Sequence, residues 1–236
     1  MKYNFEEGEL LLIDKPIGWT SFDVVNSIRS TIKRTYNIKK IKVGHAGTLD
    51  PLATGLLIVC TGKKTKQIDS FQGLDKVYTG SMVIGKTTPS FDRETEVDGT
   101  FDIINISKKI LLETAKKFTG EIKQTPPAFS AVKVDGKRAF EYARSNNDVK
   151  LKSRNIIISK FQLLSFDLPE IDFEVECSKG TYIRSLVSDF GKAMNNGAYM
   201  SCLRRTAIGS YSVSDALTVE EMKNAIVAQV EKSSEI

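Results

Sequence analysis

Residues 44–57 read Gly-His-Ala-Gly-Thr-Leu-Asp-Pro-Leu-Ala-Thr-Gly-Leu-Leu, and they include His45, the one histidine of the chain. Asp50 lies in this segment between Leu49 and Pro51. The proline-braced turn fixes the direction of the carboxylate, and its apolar neighbours keep water away from it, so the turn favours chemistry at Asp50. A histidine and an acid could also form part of a hydrolytic triad. That interpretation fails because the chain has no G-x-S-x-G elbow for a nucleophile.

The composition is typical of a soluble globular protein. The chain has 236 residues, of which 41% are hydrophobic and 27% are charged. The polar, acidic N-terminus and the lack of a long apolar run predict neither a signal peptide nor a membrane span. Cys60, Cys177 and Cys202 are odd in number and far apart, which favours free thiols in a reducing compartment. We therefore expect a cytoplasmic protein, and with a single histidine we expect no metal site.

The net charge of +5 and the pI of 8.9 permit a polyanionic partner without requiring one. Basic residues cluster at 33–42, 63–66 and 133–144. The third cluster is interleaved with Phe140 and Tyr142, a pattern that suits a phosphate backbone with unstacked bases. A solvated basic face with a few buried rings would give the same pattern.

The pattern of apolar residues predicts an α+β fold with a mostly antiparallel sheet, because strands and helices mix without regular β-α-β alternation. Thr20 or Ser21 can cap the first helix, whose apolar face would contain Phe22, Val25, Ile28 and Ile32. Strands are predicted at 9–13, 56–60, 76–85, 156–166 and 171–177, with short ones around Arg204 and Tyr211. Helices are predicted at 20–35, 107–119, 138–145, 181–194 and 219–230, with a short one from residue 63 and a hairpin at 130–137 closed by Asp135-Gly136.

Residues 80–87 match the phosphate-loop pattern G-x-x-x-x-G-K-[ST]. That motif needs a flexible glycine loop that leads into a helix N-terminus. Met82, Val83 and Ile84 instead continue the strand that precedes them, and Thr88-Pro89-Ser90 is a poor helix interior. We therefore expect no nucleotide site here.

Residues 179–185 read Lys-Gly-Thr-Tyr-Ile-Arg-Ser and predict a helix start with Tyr182 and Arg184 in the first turn. The helix dipole disfavours an arginine at that position, so Arg184 is most easily explained by a phosphate or carboxylate neighbour. A surface arginine is the simpler alternative. For Tyr78, packing in a strand is the simpler alternative to a functional role.

Taken together, these segments resemble the bacterial tRNA pseudouridine-55 synthases, the TruB-type pseudouridine synthases, over nearly the whole chain and in order. The matching segments are residues 14–21 (Asp-Lys-Pro-Ile-Gly-Trp-Thr-Ser), 44–57, Tyr78 with Gly85, Asp92 before Glu94, 126–133 (Pro-Pro-Ala-Phe-Ser-Ala-Val-Lys) with Gly136 and Arg138, 179–185, and Leu203-Arg204-Arg205 with Gly209.

The resemblance implies a pseudouridine synthase fold and an enzyme that isomerises uridine to pseudouridine in the TΨC loop of tRNA, with no metal and no nucleotide cofactor. By position, Asp50 matches the catalytic aspartate and Arg184 the arginine that pairs with it. Tyr78 matches the tyrosine that stacks on the flipped base. The remaining matches are Tyr182 and Leu203 in the pocket, His45 as the residue that remodels the loop, and Asp92 and Lys15 near the pocket.

The resemblance also implies a single catalytic domain over residues 1–236, in which a basic insertion at about 124–150 contacts the T-arm of tRNA. Many family members carry a C-terminal RNA-binding domain of the PUA type, and we expect this chain to be a short form without it. We expect a monomer that binds tRNA and no membrane. The alternative is an RNA-folding chaperone that acts on tRNA without catalysis, although a binding module has no use for a buried acid.

Overall fold

The computed structural model describes residues 3–145 and 150–234. The strands are β1 Leu10–Lys15, β2 Val43–His45, β3 Ala53–Thr61, β4 Lys76–Ile84, β5 Lys86–Thr87, β6 Gly99–Thr100, β7 Gly120–Gln124, β8 Lys133–Val134, β9 Lys137–Arg138, β10 Arg154–Leu163, β11 Glu170–Cys177, β12 Ala198–Ile208, β13 Tyr211–Ser212 and β14 Leu217–Thr218. The α-helices are α1 Ser21–Thr35, α2 Ile68–Gly73, α3 Lys108–Lys116, α4 Ala139–Arg144, α5 Ile183–Ala193 and α6 Val219–Ser234. Short 3-10 helices cover Gly62–Gln67 and Val213–Asp215.

The chain divides into two compact units, Met1–Val77 with Arg204–Ile236 and Tyr78–Leu203. In the first unit the strand order is β14-β1-β3, followed by residues 204–208 of β12. Strand β2 pairs with the C-terminal end of β3. In the second unit residues 198–203 of β12 are followed by β4, β11, β10 and β7. The pairings are mostly antiparallel, while β1 and β14 run parallel. The predicted α+β class with a mostly antiparallel sheet flanked by helices is confirmed.

Strand β3 organises the core of the first unit because both of its faces are buried. Leu57 and Val59 pack with α1 and α6, whereas Leu56, Ile58 and Cys60 pack against Phe71 on the other face. A strand that is covered on both sides needs a continuous apolar run, and residues 56–60 supply one. The prediction of a buried strand here is confirmed.

Helix α1 begins with a capping box in which Thr20 and Asp23 bond each other's backbone N–H groups. Val25, Ile28 and Ile32 face the core as expected. The placement of Phe22 on that apolar face was wrong, because its side chain is 58% exposed and Val24 is buried in its place. The helix turns about 100° per residue, and Val24, Ile28 and Ile32 follow the i, i+4 row better than Phe22 does.

The second unit packs α5 and α3 against its sheet. Phe190 of α5 contacts Phe161 of β10 and Phe118, with ring centroids 5.7 and 6.2 Å apart. Phe161 also meets Phe173 of β11 at 5.9 Å. These rings fill the space between helix and sheet.

Some short elements match the predictions, and others differ from them. The hairpin of β8 and β9 closes at Asp135 and Gly136, both with positive φ, as the sequence predicts. Residues 80–84 lie in β4 and residues 86–87 form β5, so the phosphate-loop match has no helix after it. The short strand expected around Arg204 is the eleven-residue β12. Strand β7 was missed because it alternates weakly and is held by its pairing with β10.

None of the helices within the described residues is long and apolar enough to cross a bilayer. Over the same residues, no three histidine, cysteine, aspartate or glutamate side chains form a group that could hold a metal ion.

Gly55 offers a test of the close approach between the neighbouring strands β3 and β12 in the first unit. Its φ is +103°, and a Cβ placed there would lie 2.3 Å from the carbonyl oxygen of Arg205. We expect Gly55→Ala to lower the free energy of unfolding by about 3 kcal/mol or more, because backbone strain and a backbone clash add. Urea unfolding measures the effect.

Gly73→Ala is the matched control, since Gly73 has open space around its Cβ position and ends helix α2. It should leave stability unchanged or raise it slightly. Equal losses in the two variants would contradict the close approach of the Arg205 backbone to Gly55.

Candidate active site

Asp50 sits in a tight turn that leads into β3. Its carbonyl oxygen accepts a hydrogen bond from the Ala53 N–H at 3.1 Å, and the next carbonyl, that of Pro51, accepts one from the Gly18 N–H at 2.8 Å. Leu49 is buried, whereas Asp50 is half-buried. The turn therefore anchors its apolar side chain in the core and leaves the carboxylate near the surface of the first unit.

Ser21 fixes the residue before the acid. The Leu49 N–H donates to Ser21 Oγ at 2.8 Å, and Ser21 Oγ lies 3.2 Å from the Leu49 carbonyl oxygen, to which its hydroxyl donates. This role is open to Ser21 because Thr20 is the residue that caps α1. Of the two capping candidates in the sequence, one caps the helix and the other holds the Asp50 turn.

Lys15 binds the same turn from the end of β1. Its side chain is fully buried, and Nζ donates to the carbonyls of Pro16, Trp19 and Pro51 at 2.9, 2.6 and 3.4 Å. Burial lowers the pKa of Lys15 to about 8, the negative charge of Asp50 opposes that shift, and the positive charge of Arg205 adds to it. The structure thus brings Lys15 to the Asp50 turn as a structural cation.

Arg205 holds the glycine-rich part of the segment. Its side chain is 1% exposed, and its Nε and Nη2 donate to the carbonyls of Leu56 and Gly47 at 2.7 and 3.0 Å. The neighbouring Arg204 points the other way and forms a two-bond ion pair with Asp14, at 2.6 and 3.0 Å. Successive residues of a strand face opposite sides, which explains the two different environments.

His45 ends β2, directly before the turn region. Burial lowers its pKa from 6.5, the positive charge of Arg205 lowers it further, and a backbone hydrogen bond with Gly47 opposes the shift. The imidazole is therefore neutral at pH 7. A neutral ring can stack on a base or form hydrogen bonds without adding charge.

Arg184 and Asp92 lie together in the second unit. Arg184 Nε is 3.5 Å from Asp92 Oδ2, and both side chains are only 4% exposed. The guanidinium also donates to the carbonyls of Ser90 and Phe129 at 3.2 and 2.9 Å. The arginine in the first turn of α5 therefore has the carboxylate neighbour that its position indicated. The pairing of Arg184 with Asp50 stays a prediction.

Tyr182 is the N-cap residue of α5. The side chain of Gln124 binds both its backbone N–H and its backbone carbonyl. Gln124 Nε2 donates to the Tyr182 carbonyl at 3.0 Å, and the Tyr182 N–H donates to Gln124 Oε1 at 2.8 Å. The guanidinium of Arg154 lies 4.8 Å from the ring centroid of Tyr182 and donates to the Gly180 carbonyl. Both the backbone and the ring of Tyr182 are thus held in place.

Tyr78 and Leu203 lie on the neighbouring strands β4 and β12 of the second unit. Tyr78 is 8% and Leu203 6% exposed. A Cβ at Gly80 would lie 2.5 Å from the Cys202 carbonyl oxygen, so the glycine permits these strands to approach closely at this point. Both predicted pocket residues are therefore mostly buried on adjacent strands.

The sequence reasoning missed the residues that position the site. Ser21 binds the backbone of Leu49, Arg205 binds the carbonyls on either side of the Asp50 turn, and Gln124 binds the backbone of Tyr182. Their spacing in the sequence does not predict these roles. Ser21 and Arg205 stand inside segments that carry the resemblance and Gln124 stands next to one, and this is the one signal that pointed to them. A buried arginine that binds carbonyls can be found only from coordinates.

Two family models cover most of the chain. The N-terminal domain of the TruB family pseudouridylate synthases matches residues 33–183, and the tRNA pseudouridylate synthase B C-terminal domain matches residues 184–236. This chain belongs to the TruB family of pseudouridylate synthases. It is therefore an isomerase by family. The similar proteins include one named tRNA pseudouridine synthase B from Phocaeicola vulgatus, which is 54% identical over 92% of this chain and 92% of its own length. A protein of the same name from Parabacteroides distasonis is 49% identical over 98% of this chain and 99% of its own.

Solved structures share the fold. A chain in a Cbf5-Nop10-Gar1 complex matches 97% of this chain with a TM-score of 0.72 and 27% identity. A chain in an H/ACA RNP bound to a substrate RNA containing 2′-deoxyuridine gives a TM-score of 0.70 and 25% identity over 97% of this chain. This chain spans 57% and 56% of those longer chains. The predicted pseudouridine synthase fold is confirmed.

The buried amine of Lys15 predicts a pH dependence of stability. Its pKa is about 8 in the folded chain against 10.5 for an ordinary lysine, so between these values the unfolded chain binds more protons. The free energy of unfolding of the wild type, minus that of Lys15→Met, should therefore rise with pH from about 8 to 10. The slope cannot exceed about 1.4 kcal/mol per pH unit.

Urea unfolding of both proteins at each pH measures this difference. Below pH 8 the amine is protonated in both states, so the difference should be flat there. A difference that stays flat up to pH 10, or falls, would contradict the lowered pKa of Lys15.

Gln124 predicts a stability effect in the second unit. Replacing it with alanine leaves the Tyr182 N–H without its partner, whereas the Tyr182 carbonyl keeps the hydrogen bond from the Leu186 N–H at 3.1 Å. A buried unpaired polar group costs about 1–3 kcal/mol. We expect Gln124→Ala to lower the free energy of unfolding by about 1–2 kcal/mol. The neighbouring exposed Lys123→Ala is the control and should change it by less than about 0.5 kcal/mol. Similar effects of the two substitutions would argue against the double hydrogen bond.

Proposed function

We propose that this enzyme converts uridine to pseudouridine at position 55, in the TΨC loop of tRNA. Membership of the TruB family and the name of the similar proteins support a tRNA pseudouridine synthase. The observation that carries the proposal is the turn of Asp50, whose backbone is held by Ser21 and Lys15. A carboxylate on a turn fixed by buried side chains is preorganised for one direction of attack.

The reaction breaks the bond between C1′ of the ribose and N1 of uracil, rotates the base and forms a bond from C1′ to C5. The proton on C5 leaves to solvent and N1 gains a proton, so the product is an isomer of the substrate. The carboxylate of Asp50 acts either as the nucleophile on C1′ or as the base that removes a sugar proton. Both routes need no redox partner.

The uridine has to leave the folded loop before it can react, which costs a few kcal/mol of unstacking. In the proposal, the ring of Tyr78 stacks on the flipped base, and Leu203 and Tyr182 form apolar walls of its pocket. Arg184 supplies the positive charge that pairs with the catalytic carboxylate, and Asp92 holds Arg184. Asp92 and Arg184 already contact each other in the second unit.

In the proposal, His45 contacts the nucleotides that are extruded next to the target uridine. Lys15 holds the turn of Asp50 in place. The proposal treats residues 1–236 as one catalytic domain. The basic insertion at about 124–150 contacts the T-arm. Its residues 146–149 lie outside the described part of the chain. The proposed enzyme works as a monomer in the cytoplasm.

The test uses tRNA transcripts that carry tritium at C5 of uridine, because forming the C1′–C5 bond releases that tritium to water. We expect the wild type to release it and Asp50→Asn to be slower by about 10³-fold or more, since the amide can neither attack C1′ nor accept a proton. Filter binding should show that Asp50→Asn keeps its affinity for tRNA.

Asp69→Asn is the control, an exposed carboxylate on α2 of the same unit, and it should release tritium as the wild type does. Release that survives Asp50→Asn would remove Asp50 from the chemistry. Binding and refolding of tRNA with no release by the wild type would favour the RNA chaperone. Transcripts with cytidine at position 55 carry no tritium at that position and should release none, and full release from them would overturn the choice of position 55.

A further inference from the structure

A groove of about 350 Å³ lies on the first unit, between α1, β2 and the start of α2. Apolar side chains of Ile41, Val43 and Ile68 line it, and two cations, Arg29 and Lys42, stand at its walls. Gly44 is part of the floor, where a Cβ would lie 2.8 Å from Ile68 Cδ1. His45 is the next residue of β2 after Gly44. None of the roles described so far uses this groove.

The surroundings of the groove are strongly basic. The carbonyl of Lys42 accepts a hydrogen bond from the Gly62 N–H at 2.9 Å, which places Lys42 beside the 3-10 helix Gly62–Gln67. That helix carries Lys63, Lys64 and Lys66. Lys63 is paired with Glu7 at 2.8 Å, whereas no ion pair engages Arg29 or Lys42 within the residues that the structure describes. The groove walls thus present positive charge that a bound anion would neutralise.

An exposed aromatic ring stands next to the groove. Phe22 is 58% exposed, and the guanidinium of Arg29 lies 5.8 Å from its ring centroid. The two residues are seven apart on α1, so they share one face of the helix. Single exposed apolar side chains are common on protein surfaces, so the ring counts here only together with the cationic groove beside it. The distance between the ring and Arg29 lies within the range of a cation–π contact.

We propose that this surface, made of Phe22, Arg29, Lys42 and the apolar floor of the groove, binds the backbone of the RNA substrate. Arg29 and Lys42 each contact one phosphate, and one unstacked base lies on Phe22. Cations that alternate with an exposed ring and an apolar floor are the combination that fits single-stranded nucleotides. The inference rests on the proposed function in one respect, namely that the substrate is an RNA.

The decisive measurement is the salt dependence of RNA binding. Each phosphate contact contributes about one unit to the slope of log affinity against log salt concentration. The double variant Arg29→Gln with Lys42→Gln should therefore reduce the slope by about two units. The matched control is Lys109→Gln with Lys116→Gln, which removes the same charge from exposed positions of α3 and should leave the slope unchanged. Titrations of full-length tRNA transcript between about 50 and 200 mM salt give both slopes.

Two further variants separate charge from stacking and from folding. Phe22→Ala should weaken binding at least about 5-fold without changing the slope, because a stacking contact releases no counterions. Arg29→Lys with Lys42→Arg keeps the charges, and its slope should equal that of the wild type. A fall in that charge-conserving variant as large as in the glutamine variant would indicate a structural effect and overturn the proposal.

An unchanged slope in the glutamine double variant would overturn the inference, as would an equal loss in the α3 control. A free nucleotide is the other source of the same phosphate chemistry, so uridine monophosphate is titrated against the wild type and the double variant at constant ionic strength. Binding of that nucleotide only to the wild type, with unchanged RNA slopes, would assign the groove to a mononucleotide and reject an RNA site. Tritium release is scored separately, so an inactive wild type with intact slope differences would reject the proposed function and keep the groove.

Discussion

Buried side chains bound to backbone carbonyls hold the turn of Asp50, and the rest of the candidate chemistry in the first unit depends on this constraint. Removing a cation from water costs on the order of several kcal/mol, so Lys15 and Arg205 are expensive residues to bury. Three carbonyls around Lys15 and two around Arg205 compensate part of that cost. The carbonyls are fixed in return, and with them the backbone of the turn that carries Asp50.

In the second unit, hydrogen bonds to the start of α5 hold the candidate residues in place. Three residues from the end of β7 onward are hydrogen-bonded to the start of α5. Gln124 bonds to Tyr182, the Thr125 carbonyl accepts from Ser185 Oγ at 2.8 Å, and the Phe129 carbonyl accepts from Arg184. The first turn of α5 has backbone N–H groups without partners inside the helix. Gln124 supplies one such partner, which lets a tyrosine take the N-cap position where a small polar residue is usual.

Local pattern predicted the elements that bury a whole face. Strand β3 was predictable because it is apolar at every position from 56 to 60, and α1 because its apolar residues repeat at helical spacing. The hairpin at Asp135-Gly136 was predictable because that dipeptide accepts positive φ. Strand β7 and the full length of β12 were not, since their residues alternate weakly and neighbouring strands decide their extent. The prediction that Phe22 lies on the buried face of α1 was wrong, because an apolar residue at the margin of a helical pattern can face either the core or the solvent.

By itself, the sequence determined the fold class, the family and the identity of Asp50 as the distinctive acid. These follow from ordered motifs and from periodicity, which are properties of the chain. Only the tertiary structure decided that Lys15, Ser21 and Arg205 converge on the Asp50 turn, that Asp92 neighbours Arg184, and that Phe22 stands exposed beside a basic groove. Each of these depends on residues far apart in sequence or on which face a helix buries. Burial and hydrogen bonding to backbone carbonyls leave no pattern in the chain, so only packed coordinates reveal them.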